Sequence, residues 1–333
     1  MEKLSHRDRI QAIITGDKPD RFAASFWRHF YHREHYAQGA AEAMLWFQKK
    51  FDWDFVKINP RADYHVEDWG LKQKWSHDEL KKHQKTHFPI NRLEDWEDIR
   101  QLEPTAPVLA EHLKVVSLVR KGAGKDVPVL MTVFTPLAIA GRMVPDRQML
   151  VTYLREAPEI IERTLEVITL TFVKFVEELR NAGADGLFFA TTQWASSDMI
   201  TWEEYRRFGV PFDLQVIKAA GDDALNLFHV CSSNNFLKEL SAIDYRSQLY
   251  NWDSADPTNL PLDKAYDQLK GKTLVGGVDQ RGWLLQSSAG EVGHQIQKIM
   301  STHDSNRVII GPGCSVPPQA PLENLRAIRE ALR

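Results

Sequence analysis

The sequence predicts an α/β chain folded as one (β/α)₈ TIM barrel, and three observations carry that expectation. Eight short apolar runs alternate with longer amphipathic stretches, the pattern of parallel strands joined by helices. The 333 residues suit such a barrel with room for an insertion. The residues with the most distinctive chemistry fall at or just past the ends of those runs, where this fold gathers its working groups.

The first strand is expected at residues 22–27 and the second at 54–59, with a helix over 40–51 between them. Residues 61–104 break the alternation with Asp68-Trp69-Gly70 and proline-containing turns. They read as an insertion after the second strand, a small hairpin and cover over the barrel mouth, because so long a segment in a compact domain is more often functional than idle. Strands follow at 127–135 and 186–191, separated by a long amphipathic helix at 157–182. A helix over 201–220 opens with Thr201-Trp202-Glu203-Glu204, a capping-box pattern. The remaining strands are expected at 224–231, 247–252, 273–278 and 307–310. A last helix at 321–332 carries Leu322, Leu325, Ile328 and Leu332 on one face. The whole of 1–333 is expected to be one domain.

Composition excludes several functions. A formal net charge of −3, with lysines and arginines scattered, gives no basic field for nucleic acid or an acidic membrane surface. No apolar stretch approaches membrane-spanning length, and the polar N-terminus lacks a signal-peptide core. A cytoplasmic protein is the expectation.

Only two cysteines occur, and both point to one place. Cys231 ends Phe228-His229-Val230-Cys231, and Cys314 ends Gly311-Pro312-Gly313-Cys314. In extended chain, residues i and i+2 share a face, so His229 and Cys231 can reach one ion while Val230 packs the other way. One imidazole and two thiolates are the donor set of a catalytic zinc with an open position. A lone buried cysteine is usually a small hydrophobe; three ligands at matching strand ends favour Zn²⁺ held by His229, Cys231 and Cys314. A Cys231–Cys314 disulfide is disfavoured in a cytosolic protein.

Several longer segments carry a family resemblance. Asn181-Ala182-Gly183-Ala184-Asp185-Gly186 resembles the Gly-Ala-Asp strand start of the uroporphyrinogen decarboxylase superfamily. Leu274-Val275-Gly276-Gly277-Val278-Asp279-Gln280 resembles its Gly-Asn-Leu-Asp-Pro segment, and Val308 to Cys314 with Pro317, Pro318 and Pro321 its glycine-rich final strand and proline-rich exit. The chain departs from the true decarboxylases. Phe26-Trp27-Arg28-His29-Phe30-Tyr31 keeps at most one arginine of their substrate-binding signature. Asn59 stands where they place an aspartate, and Gly313-Cys314-Ser315 replaces their Gly-His-Gly. His229-Val230-Cys231 with Cys314 resembles instead the zinc methyltransferase branch, typified by methylcobamide:coenzyme M methyltransferases.

That resemblance implies transfer of a methyl group from a methyl-corrinoid to a thiol activated at the metal. The chain has neither an Asp-x-His-x-x-Gly pattern nor spare length for a corrinoid module, so the methylcobalamin-type cofactor is expected on a partner corrinoid protein. The acceptor class is a small thiol, with a folate also open. Arg28 is a candidate anion anchor, and Asn59, Gln193, Asp253 and Asp279 are candidates for holding substrate or orienting His229; Thr192 shares that position beside Gln193. For Thr192, Gln193, Asp253 and Asp279 the competing reading is polar capping of a strand end. His29, His32 and His35 read as surface or channel histidines, because a helix would fan them apart. Two other functions compete: a carbon–carbon lyase of the decarboxylase type acting on a non-porphyrin acid, and a non-catalytic corrinoid-protein binding module.

Overall fold

The apolar runs pair in chain order. In the computed structural model, which describes residues 3–333, nine strands form. They are β1 (Val56–Ile58), β2 (Lys72–Lys74), β3 (Gln84–His87), β4 (Val129–Phe134), β5 (Gly186–Ala190), β6 (Leu227–His229), β7 (Leu249–Asn251), β8 (Thr273–Val278) and β9 (Val308–Pro312). Seven of them make a parallel sheet in the order β1-β4-β5-β6-β7-β8-β9. Its strands are buried on both faces, which is why they read as continuous apolar runs rather than alternating ones. The helix Pro158–Asn181 turns Ile161, Leu165, Ile168, Phe172, Phe175 and Leu179 onto the outside of that sheet.

The strand expected at 22–27 is reduced to one parallel bridge between Ala24 and Ile310. Ser25 N donates to Ile310 O at 3.0 Å, and Ile310 N donates to Ala23 O at 2.8 Å. On its other edge a single backbone bond, from Asp54 N to Ala24 O at 2.9 Å, is joined by side chains. Ser25 Oγ accepts from Phe55 N at 2.8 Å, and Asp54 Oδ2 accepts from Ala24 N at 2.8 Å. Serine and aspartate compete for backbone groups in this way, so the seam closes partly through side chains and is too short for a strand. Asp54 is fully buried and also takes bonds from His6, Arg9 and Arg21. Burial would raise its carboxyl, but the His6 and Arg21 bonds overcome that and hold it at about 2.

The helix expected over 201–220 breaks in two, Trp202–Phe208 and Val210–Lys218. Pro211 cannot continue the first helix and fits the opening turn of the second. The capping box is present, with Thr201 Oγ1 accepting from Glu204 N at 3.1 Å.

Within 61–104 lie a short helix (Tyr64–Glu67), the antiparallel β2–β3 hairpin and a 3₁₀ turn (Leu93–Asp98). The hairpin is held by ions: Glu79 pairs with Arg28, while Lys82 and Lys85 lie 3.4 and 3.3 Å from Asp63. Among the described residues no helix is long and apolar enough to cross a membrane.

Candidate metal centre and substrate cavity

β6 and β7 run side by side with His229 in register with Asn251. Both side chains are buried, at 4% and 0% exposure. Asn251 Nδ2 donates to Val275 O at 2.8 Å and to Pro312 O at 3.0 Å, so its Oδ1 is the atom facing the imidazole. His229 Nδ1 lies 2.6 Å from that oxygen. An amide oxygen only accepts, so Nδ1 carries the proton and Nε2 keeps its lone pair free.

The chain leaves β6 at His229, and Cys231 lies just beyond it. Cys231 N donates to Thr191 Oγ1 at 3.3 Å, while Ser232 turns the chain with φ +75°. Asn259 Nδ2 holds that turn through Ser232 O at 2.9 Å. Cys314 follows β9. Gly313 N donates to Gln280 Oε1 at 2.8 Å, and Gln280 Nε2 donates to Asp253 Oδ2 at 2.9 Å. A β-carbon at Gly313 would sit 2.6 Å from Asp253 Cα, so close approach is what requires glycine there.

The donor atoms of His229, Cys231 and Cys314 all lie within 4.8 Å of one another. The donor set, its mutual distances and the fixed imidazole tautomer all fit zinc. The two thiols split in acidity. A hydrogen bond from Cys231, aided by nearby His229, drives Cys314 well below the usual thiol range, and the same bond plus burial drives Cys231 well above it.

Two cavities meet at these sulfurs. One, of about 220 Å³, runs past Trp27, Lys57, Phe188, Thr132 and Phe134. The other, of about 290 Å³, is polar and takes in Arg147, Ser196, Asp256 and Arg281. Cys231, Ser232, Gln193 and Cys314 line both.

The remaining sequence candidates are spread around this centre. Gln193 lies in the shared wall with Nε2 unpartnered, next to Thr192, whose φ is +50°. Asn59 lines the first cavity and accepts a hydrogen bond from Lys57. Asp253 lines the second cavity and acts through Gln280 on the loop of Cys314 rather than on His229. Arg28 lies outside both cavities, buried and bonded to Glu79 of the hairpin. Asp279 also lies outside them, where it caps the next turn through Gly282 N at 2.7 Å. His29 lines the first cavity and bonds Glu34, whereas His35 bonds Ser76 O of the hairpin, so the three early histidines do not converge.

Sequence reasoning missed Asn251, Gln280 and Lys57. A signal existed for the first and third, since each is a polar residue inside an apolar strand. At the far end of the first cavity, buried Asp63 faces Lys82, Lys85 and Arg142, and neither ring nitrogen of buried His65 has a partner.

Residues 7–333 match the uroporphyrinogen decarboxylase (URO-D) family, and the chain belongs to it. Among curated relatives it is 21% identical over 220 residues to the methylcobamide:CoM methyltransferase MtaA of Methanosarcina barkeri, covering 65% of this chain and 61% of that protein. It is 21% identical over 245 residues to the methylcobamide:CoM methyltransferase MtbA of Methanosarcina mazei, covering 73% and 69%. The chain thus spans about three fifths of the MtaA relative it matches. Its fold is that of a methyltransferase from Methanosarcina mazei, with a TM-score of 0.81 and 16% identity over 99% of this chain and 98% of the other. A B12-independent methionine synthase from Shewanella sp. W3-18-1 is more distant, with a TM-score of 0.58 and 13% identity over 93% and 96%.

Proposed function

We propose that the chain is a zinc-dependent methyltransferase that moves a methyl group from a methyl-corrinoid protein to a small thiol. The observation that carries this reading is the convergence of His229, Cys231 and Cys314 within 4.8 Å, on the rim of two cavities. Likeness to methylcobamide:CoM methyltransferases supports the corrinoid donor.

Zinc bound there would favour the thiolate form of an acceptor whose free thiol, with a pKa of about 8.5, is mostly protonated at neutral pH. The chain's own residues do the rest. Asn251 fixes the His229 tautomer, and Gln280 with Asp253 sets the Cys314 loop. The apolar walls of Trp27 and Phe188 exclude water from an incoming sulfur. That sulfur forms a bond to the methyl carbon while the carbon–cobalt bond breaks, and its electron pair stays on cobalt. A second cavity meeting the same cysteines leaves room for a donor to approach from another side.

The test combines metal analysis with turnover. Metal-replete protein should hold about one zinc per chain, and should transfer methyl from methylcobalamin to at least one member of a panel of thiols. Tetrahydrofolate belongs in the panel. Cys231→Ala should lower both metal content and transfer while the fold persists. Protein without zinc sinks the metal assignment, and zinc-loaded protein inert toward every acceptor sinks the methyltransferase.

A further inference from the structure

Lys57 projects from β1 into the same cavity as the two cysteines, at 8% exposure. Among the described residues no carboxylate pairs with it, and its one hydrogen bond goes to Asn59 Oδ1. The ammonium lies 4.5 Å from the centre of the Phe188 ring and 5.9 Å from that of Trp27. Asn59 Nδ2 is itself buried without a partner, so this corner of the cavity holds unused donors. A charged amine in such surroundings is costly, whereas a neutral amine is not. Burial pushes Lys57 down to about 7, against the pull of Cys314, Glu34 and Cys231. Lysine, unlike arginine, gives up its proton readily when buried.

We propose that Lys57 accepts the proton of the acceptor thiol, so that the sulfur arrives as a thiolate at His229, Cys231 and Cys314. The inference rests on the methyltransferase reading above and supplies the base that reading lacks. The S–H bond breaks with its electron pair left on sulfur, and the proton moves to the Nζ lone pair to complete an ammonium. The sulfur then spends that pair on the methyl carbon. The product thioether has no S–H to re-form, so Lys57 returns its proton to solvent when the product leaves.

Other charged groups share the cavity. His229 enters from the end of β6, Cys231 from just beyond it, Cys314 from beyond β9, and His29 from the N-terminal segment. Arg61, Asp63 and His65 enter from the stretch after β1, Lys82 from the hairpin and Arg142 from the helix Pro136–Met143. Asp63 lies against Lys82 and Arg142, and Arg61 against Glu67 and Glu111. Lys57 is left as the amine without a carboxylate.

The experiment uses zinc-loaded full-length protein and 2-mercaptoethanol, whose only ionisable group is its thiol. Calorimetry in buffers of different ionisation enthalpy reads net proton release on binding. Near pH 8, wild type should release almost none, because Lys57 keeps the proton. Lys57→Met and Lys57→Arg should release about one, since neither can accept it. Near pH 6 all three should release about one, because wild-type Lys57 is already charged.

Metal-free protein gives an independent readout. Competitive acetylation with peptide mapping should show Lys57 gaining reactivity near pH 7, where surface lysines do so near about 10. Should Lys57→Met fail to fold, Lys57→Arg and the acetylation profile still decide. Equal proton release from wild type and the folded variants near pH 8 overturns the proposal, as does a Lys57 that titrates with the surface lysines. Thiol binding with equal release removes Lys57 as base and leaves the methyltransferase standing; no thiol binding at any pH removes both.

Discussion

His229 Nδ1 and Asn251 Oδ1 lie 2.6 Å apart across neighbouring parallel strands, and that bond decides which imidazole nitrogen is free. Asn251 can do this because its own amide nitrogen is committed to two carbonyls, Val275 O and Pro312 O. The histidine's tautomer is thereby written into the sheet.

Removing the amide should therefore loosen metal without unfolding the barrel. Asn251→Ala is expected to weaken zinc about 10–100-fold, read by competition with a chromogenic chelator. Unchanged affinity would remove Asn251 from the metal centre.

Gly313→Ala tests the close approach on the other side. Its β-carbon would press on Asp253 Cα, which is backbone and cannot swing away. The expected cost is about 1–3 kcal/mol in denaturant unfolding, together with lower zinc content as Cys314 moves. A variant with wild-type stability and metal would show that the loop has slack.

Uroporphyrinogen should be neither bound nor decarboxylated. Arg28, the one arginine left of the decarboxylase signature, is bonded to Glu79, and Asn59 is bonded to Lys57. Coproporphyrinogen formed at an enzymatic rate would overturn this expectation.

Stability should fall on the alkaline side through His6. Burial works against its charged form, but hydrogen bonds to Asp52 and Asp54 raise its imidazole to about 9. A raised pKa means the contribution is complete below about pH 6.5 and fades as pH climbs through about 9. Unfolding free energy should drop over that window by no more than about 3 kcal/mol. His6→Gln should flatten that slope, and a variant that keeps it would place the titrating group elsewhere.

Much of this molecule was legible in its sequence because its parallel barrel strands are short, mostly apolar and separated by helices with one oily face. His229, Cys231 and Cys314 stood out because soft ligands at run ends are rare and the fold gives those ends a common location. The segment 22–27 read as a strand because its residues are apolar. Its few backbone bonds, to Ile310 on one side and Asp54 on the other, are completed by the side chains of Ser25 and Asp54, which no periodicity reveals. The partners of Asn251 and Gln280 were hidden for a different reason. Each acts on a residue far away in sequence, and only strand register brings them together. Asp253 carried a signal, yet its partner proved to be the Cys314 loop, a relationship set by the approach of Gly313. In the 201–220 helix the amphipathic period runs on through Pro211, so periodicity alone hides the break that its missing N–H imposes.

The seam that completes the barrel is also part of the cavity. Ala24 and Ser25 close the ring, Trp27 forms a wall beside Lys57, and Arg28 ties down the hairpin through Glu79. One stretch of chain is thus both the clasp of the barrel and the doorpost of its chamber. By mass action a molecule that binds against Trp27 only when the ring is closed would add to the stability of the clasp, so seam and chamber are expected to loosen together.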